Sequence, residues 1–167
     1  MYKFEDLLKI AHDADVNFKR CVIVDEGVLG VLGVVDKVSS LVILADDFEY
    51  ERMILKHLDN TDPHRHSVVF DEKVFITHRF VYSFYLVDYF LSVKIFVGEY
   101  PILPPSIFEF SLLYTHGEEK GRQFITILDN HFYRIREYLV NKTKKFQEIR
   151  RDLEEEFKSK YVKKIQT

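Results

Sequence analysis

The chain has 167 residues, of which 47% are hydrophobic and 15% aromatic, and its formal net charge is −3. This composition supplies a hydrophobic core and excludes an intrinsically disordered protein. Because Cys21 is the single cysteine, one chain can form neither an internal disulfide nor a cysteine-based zinc site, and we expect a cytoplasmic protein.

The sequence predicts neither a secretory signal nor a membrane span. Its first residues lack a basic region followed by an apolar core. The longest apolar stretch, residues 80–97, is interrupted by Ser83, Asp88, Ser92 and Lys94, and charged residues are costly inside a bilayer. We therefore expect a soluble protein without a membrane partner. The richness in Lys, Glu and Tyr is also typical of thermophilic proteins.

The sequence of the first half of the chain predicts alternating helices and strands. Apolar spacing, β-branched runs and turn residues predict a helix over residues 3–13, a buried strand over 20–24, an apolar segment over 28–35, a strand over 41–45 and a helix over 48–58. The apolar segment is punctuated by glycines. It predicts a hairpin turning near Glu26 and Gly27, with Gly30 or Gly33 as a bulge or a point of close backbone approach.

The helix over residues 48–58 is expected to begin at a cap supplied by Asp46 or Asp47. Its spacing predicts one inward-facing side. The residues expected on that side are Phe48, Met53, Ile54 and Leu58.

The second half predicts a strand hairpin, a helix and strand, and then a helical region. Their predicted spans are 67–70 and 74–78 for the hairpin, 80–91 for the helix, 93–97 for the strand, and 106–114 and 121–164 for two further helices. Three prolines make residues 99–105 a predicted linker between a body, 1–98, and a helical region, 106–167. The predicted fold class is α+β: an N-terminal, mostly antiparallel sheet with two or three helices, followed by a helical hairpin with a long C-terminal helix.

The last quarter of the chain carries apolar residues at alternating steps of three and four, which is typical of a coiled-coil seam. Lys142 occupies one seam position, where it would fix the register of a partner helix or mark a local break. The residues predicted to contact a partner are Phe132, Ile135, Leu139, Phe146, Ile149, Leu153 and Phe157.

Charge is distributed unevenly along the chain. Residues 134–167 contain 11 Lys and Arg against 6 Asp and Glu, a local net charge of +5, which leaves −8 on residues 1–133. Such a basic segment pairs with the acidic body, forms a solvated helix face, or binds nucleic acid. The residues of the nucleic-acid hypothesis are Arg134, Lys144, Lys145, Arg151, Lys160, Lys163 and Lys164.

The most polar loop of the chain concentrates histidine and aspartate. If His64 and His66 begin a strand, their side chains point to the same face, and a nearby carboxylate can complete a zinc or manganese site. The candidate ligands are His57, Asp59, Asp62, His64 and His66. The alternative is a solvated loop in which His57 complements the dipole at the end of the preceding helix.

Two short residue patterns resemble those of known families. His64-Arg65-His66 with the later Tyr138-x-x-x-Lys142 resembles the HUH endonucleases, in which a His-hydrophobe-His strand binds a divalent metal and a Tyr on a downstream helix is the nucleophile. Here Arg65 stands at the hydrophobic position. The spacing of Arg52 and His57 resembles that of HEPN ribonucleases, which are all-helical.

The layout of the chain resembles the nucleotidyltransferases: a helix, a strand near residues 30–35, a strand over 41–44, a helix, and a helical C-terminal region. The Gly-Ser and Asp-x-Asp signature that would hold metal ions is replaced by Ser39-Ser40 and Asp46-Asp47. This resemblance implies an inactive relative.

Together these patterns favour a non-catalytic assembly protein that forms a homodimer or docks to a larger protein complex through its C-terminal helix, with no cofactor. The alternative is a nucleic-acid-associated protein, or a divergent metal-dependent nuclease or nucleotidyltransferase-like protein.

Overall fold

A computed structural model describes residues 1–80, 82 and 84–104. The chain divides into two units, Met1–Leu103 and Pro104–Thr167, and the elements given below belong to the first. The two helices predicted over residues 106–114 and 121–164 lie outside the described residues. None of the helices in the described part of the chain has the length and apolar character needed to cross a bilayer.

The described residues form four α-helices, nine strands and two 3-10 turns, Phe18–Arg20 and Leu58–Asn60. The helices are α1 (Phe4–Asp13), α2 (Glu26–Val31), α3 (Asp47–Lys56) and α4 (Phe84–Val93). The strands are β1 (Tyr2–Lys3), β2 (Cys21–Val24), β3 (Lys37–Val38), β4 (Leu41–Ala45), β5 (Thr61–Asp62), β6 (Ser67–Phe70), β7 (Val74–Thr77), β8 (Ile95–Val97) and β9 (Tyr100–Ile102).

Seven strands form one sheet in the order β5-β6-β7-β4-β2-β9-β8, and β1 and β3 form a separate two-stranded sheet. In the large sheet, β4 is parallel to β7 and β2 is parallel to β9, whereas the other neighbours are antiparallel. The predicted α+β class is confirmed for this part of the chain. The sheet is mixed, because two of its six pairings are parallel.

The core is built around β2 and β4, and every residue of both strands is buried. Their continuous apolar runs are typical of strands that are covered on both faces. On one side α1 contributes Phe4, Leu7 and Ala11 at helical spacing. Burial of each large apolar side chain contributes roughly 1.5–3 kcal/mol, so these central strands hold most of the fold together.

The prediction of a hairpin that turns at Glu26 and Gly27 is wrong, because residues 26–31 form helix α2. The glycines allow this helix to lie very close to its neighbours. A Cβ added to Gly27 would lie 2.7 Å from the Ile23 side chain, and one added to Gly30 would lie 2.5 Å from the Phe4 ring. The expected close backbone approach at Gly30 is therefore present, but in a helix.

The predicted linker also differs from the structure. Residues 100–102 form β9, which lies between β2 and β8 in the sheet. Pro101 is compatible with this position because proline favours an extended backbone, and it is paired with Phe96 of β8. Ile102 and Leu103 are fully buried, and this burial outweighs the hydrogen bond that Pro101 cannot donate.

Candidate interaction surface on α3

Helix α3 begins at a well-formed cap. The Asp46 carboxylate accepts a 2.8 Å hydrogen bond from the backbone N–H of Glu49, and such a cap satisfies one of the free donors at a helix start. Arg20 donates a 2.9 Å hydrogen bond to the other Asp46 oxygen. The start of the helix is therefore attached to the residue that directly precedes β2.

The inner side of α3 buries a charged residue. Glu49 is fully buried, and its carboxylate accepts hydrogen bonds from Arg52 at 2.6 and 2.8 Å and from the backbone N–H of Asn17 at 2.7 Å. A buried carboxylate is tolerated only when it is paired and hydrogen-bonded in this way. Met53, also fully buried, lies on the same inner side.

A second set of contacts ties α3 to the segment after α1. Lys56 donates a 2.7 Å hydrogen bond to the Asp15 carboxylate, and Arg52 lies 3.3 Å from the same group. The hydrogen bond from Lys56 is the main reason that the pKa of Asp15 is lowered. The pKa of Arg52 is raised, chiefly by its hydrogen bond to Glu49. His57 donates to the carbonyl oxygen of Ala14 at 2.9 Å.

These contacts fix the rotation of α3 and turn apolar side chains toward solvent. Phe48 is 62% exposed, Leu55 is 68% exposed, and Leu58 in the following 3-10 turn is 67% exposed. Phe48 and Leu55 are seven residues apart and therefore lie within about 20° of each other around the helix. We call Phe48, Leu55 and Leu58 the α3 apolar surface.

Charged groups border this surface. The Arg20 guanidinium lies over the Phe48 ring at 4.4 Å from its centroid, and Glu51 and Lys56 are exposed on the same helix. Exposed aromatic and aliphatic side chains with a charged rim are the usual composition of a protein-binding surface.

The expected inward side of α3 is therefore partly wrong. Met53 is buried as predicted, but Phe48 and Leu58 point to solvent, and Ile54 is only half-buried. The inner side of the helix instead carries Glu49, which is hydrogen-bonded to Arg52. The helix sequence alone carries no signal that a glutamate would be buried.

The five candidate metal ligands do not come together in the structure. Among the described residues, no three His, Cys, Asp or Glu side chains are placed to hold a metal ion. His57 is held by Ala14 and packs edge-on against Phe70 at 5.0 Å. Asp59 is exposed in the 3-10 turn after α3.

The other three candidate ligands belong to the loop before β6. Asp62 accepts hydrogen bonds from the backbone N–H groups of His64 and Arg65 at 3.0 and 3.3 Å, so its carboxylate closes a turn. His64 and His66 lie in the turn 63–66 and not in a strand, and His66 has a left-handed φ of 51°. The geometry expected from the His-hydrophobe-His pattern is thus not formed.

The residues behind the other two resemblances have structural roles. Arg52 and His57 hold α3 against the segment after α1, as described above. Ser39 donates its backbone N–H and its hydroxyl to Glu26 at 2.7 and 2.8 Å, and Asp46 caps α3. The strand expected near residues 30–35 is absent, because residues 30–31 are the end of α2 and residues 32–35 are turn or irregular, whereas the strand over 41–44 and the helix after it are present.

The predicted partner-binding residues from Phe132 to Phe157 and the predicted basic residues from Arg134 to Lys164 lie outside the described residues. No protein-family model, curated protein or solved structure matches the chain.

Proposed function

We propose that the protein is a non-catalytic assembly protein that forms homodimers or docks to a larger protein complex through apolar helical surfaces. The observation that carries this proposal is the exposure of Phe48 and Leu55 on α3, a helix whose rotation is fixed, and of Leu58 in the 3-10 turn that follows it. Leaving three large apolar groups in water forgoes the free energy that their burial would provide. A partner that covers them recovers it.

The size of the surface indicates that it does not act alone. A stable interface buries about 800 Å² on each partner, and three side chains supply only part of that area. The C-terminal seam predicted from the sequence, with anchors such as Phe132, Leu139 and Ile149, would supply a second apolar surface. We propose that the two surfaces contribute separately to assembly.

Solution mass tests the α3 part of this proposal. Light scattering on the full chain should give a mass above 20.0 kDa for the unaltered protein and a smaller mass for the Leu55→Asp, Leu58→Asp variant. Both residues are exposed, so the variant should fold, and circular dichroism checks that it does. A matched control is Phe96→Asp, since Phe96 is an exposed aromatic residue on β8 and should leave the mass unchanged.

An unaltered mass of 20.0 kDa, together with failure of the protein to retain any partner from its own cell extract that the variant loses, would contradict the proposal. If Phe96→Asp lowers the mass as much as the double variant does, the effect belongs to general surface charge.

Nucleic-acid association is the second candidate function, and the net charge of +5 on residues 134–167 favours it. Binding that depends on Lys144, Lys145 and Arg151 should weaken steeply with salt, because neutralised phosphates release counterions. Fluorescence anisotropy with labelled single- and double-stranded oligonucleotides at two salt concentrations measures this. Binding that is absent, or that does not change with salt, rejects the candidate.

A further inference from the structure

The small sheet formed by β1 and β3 places two positive charges opposite each other. Lys3 and Lys37 are direct partners in the antiparallel register, next to the pair Tyr2 and Val38. Like charges at such positions repel each other and destabilise the pairing. An anion placed between the two ammonium groups would remove this repulsion.

A third lysine approaches the same place from the large sheet. Lys73 lies in the turn between β6 and β7, and its ammonium group is 4.1 Å from the centroid of the Tyr2 ring. Lys3, Lys37 and Lys73 line one cavity of about 320 Å³. Its volume is within the range of small-molecule sites, which is roughly 300–1,000 Å³.

None of the three ammonium groups forms an ion pair within the described part of the chain. No carboxylate among the described residues lies within 4.0 Å of any of them. Asp6 also lines the cavity but stays beyond that distance. By contrast, Lys56 and Arg52 are both paired with carboxylates.

We propose that this cavity, which we call the lysine pocket, binds a small ligand that carries phosphate groups. A phosphate offers several acceptor oxygens and a negative charge, so it can bridge ammonium groups that otherwise repel one another. The Tyr2 ring is 42% exposed beside them, and an aromatic ring is a surface on which a nucleotide base stacks.

A small ligand fits the charge of the body better than a nucleic-acid chain does. Residues 1–104 carry 11 Lys and Arg against 17 Asp and Glu, a net charge of −6. A long polyanion would be repelled by that surface, whereas a ligand confined to the pocket meets three positive charges. This inference is independent of the assembly function proposed above.

Isothermal titration of the full chain with sodium pyrophosphate and with ATP at low salt tests the proposal. We expect Lys37→Glu and Lys73→Glu each to weaken binding at least tenfold. The matched control is Lys9→Glu, because Lys9 is exposed on α1 but does not line the pocket. It should leave the affinity within about twofold.

The Lys37→Glu variant separates loss of binding from loss of folding. It places a carboxylate opposite Lys3, so we expect a melting temperature equal to or above that of the unaltered protein while binding is lost. Asp6→Asn removes the one carboxylate that lines the pocket and should tighten binding.

Comparison of the two ligands identifies the source of the phosphate. Equal affinities for pyrophosphate and ATP would indicate that phosphate alone is recognised. Tighter binding of ATP, with the difference lost in Tyr2→Ala, would indicate a nucleotide. The proposal is overturned if neither ligand binds at about 1 mM, or if Lys9→Glu weakens binding as much as Lys37→Glu does.

Discussion

The backbone N–H of Asn17 donates a 2.7 Å hydrogen bond to the carboxylate of Glu49, although 32 residues separate the two in the chain. This contact, together with the hydrogen bonds that Arg52 donates to Glu49 and Asp15, attaches α3 to the segment between α1 and β2. It sets which side of the helix faces the solvent, and therefore where the α3 apolar surface lies.

Replacement of Glu49 should unfold the protein more easily. Glu49→Ala leaves the Asn17 N–H without its acceptor and the Arg52 guanidinium without its buried partner, and we expect a loss of about 2–3 kcal/mol in the free energy of unfolding. Urea unfolding followed by circular dichroism measures it. The control is Glu51→Ala on the exposed side of the same helix, expected within about 0.5 kcal/mol. Equal effects of the two changes would contradict the role given to Glu49.

The backbone at Asp25 is strained. Its φ of 58° and ψ of −147° belong to a region that is essentially reserved for glycine and costs other residues about 1–3 kcal/mol. Asp25→Gly and Asp25→Ala remove the same side-chain contacts, but only glycine relieves the strain. We expect the glycine variant to be more stable than the alanine variant by about 1–3 kcal/mol in chemical denaturation. An alanine variant of equal or greater stability would show that no such strain exists.

The space beside Gly30 is filled by the Phe4 ring. Because an added Cβ would lie 2.5 Å from ring atoms, Gly30→Ala should destabilise the fold by about 1–3 kcal/mol through overpacking. A double-mutant cycle with Phe4→Ala locates the cause. In the Phe4→Ala background the cost of Gly30→Ala should nearly vanish, and an unchanged cost would place the clash elsewhere.

Stability should fall in acid partly through Asp15. The pKa of Asp15 is below its ordinary value of 3.8, mainly because of the hydrogen bond from Lys56, so the unfolded chain binds this proton more readily than the folded protein does. The contribution of Asp15 to the free energy of unfolding is present above about pH 4 and is lost as the pH falls through the lowered pKa. Urea midpoints measured between about pH 2 and 6 should decline less steeply for Asp15→Asn. The control Asp13→Asn, with no ion-pair partner among the described residues, should keep the original slope. Identical slopes for both variants would show that Asp15 does not contribute to the loss of stability in acid.

The charge reversal Lys37→Glu also makes a stability prediction. Exchange of a repulsive cross-strand pair for an attractive one with Lys3 should raise the free energy of unfolding by about 0.2–1 kcal/mol. Thermal unfolding at low salt measures the gain, which should shrink at high salt because exposed charges are screened. A decrease in stability would mean that Lys37 makes a favourable contact within the protein.

Much of the described fold could be predicted from the sequence. The apolar runs of β2 and β4 and the spacing of Phe4, Leu7 and Ala11 in α1 indicate strands and a helix because their pattern is local. Helix α2 could not be predicted, since its glycines are explained by the side chains that they admit: the Ile23 side chain of the preceding strand and the Phe4 ring of α1, which is distant in sequence.

The α3 apolar surface could not be predicted for a similar reason. Which side of α3 is buried depends on Asn17 and Asp15, which are distant in sequence, and these contacts place Glu49 inside and Phe48 outside. In the histidine-rich loop, by contrast, the sequence predicts a metal site that the described residues do not form. Its residue types suit a metal, but the turn closed by Asp62 disperses the side chains.

Whether the α3 apolar surface and the C-terminal seam mediate assembly is decided by the solution mass of the full chain in four forms: unaltered, Leu55→Asp with Leu58→Asp, Leu139→Asp with Ile149→Asp, and all four changes combined. We expect each pair of changes to lower the solution mass or to weaken binding of a partner, and we expect the combined form to be a folded monomer of 20.0 kDa. If all four forms have the same mass and retain the same partners, neither surface mediates assembly and the proposed function is wrong.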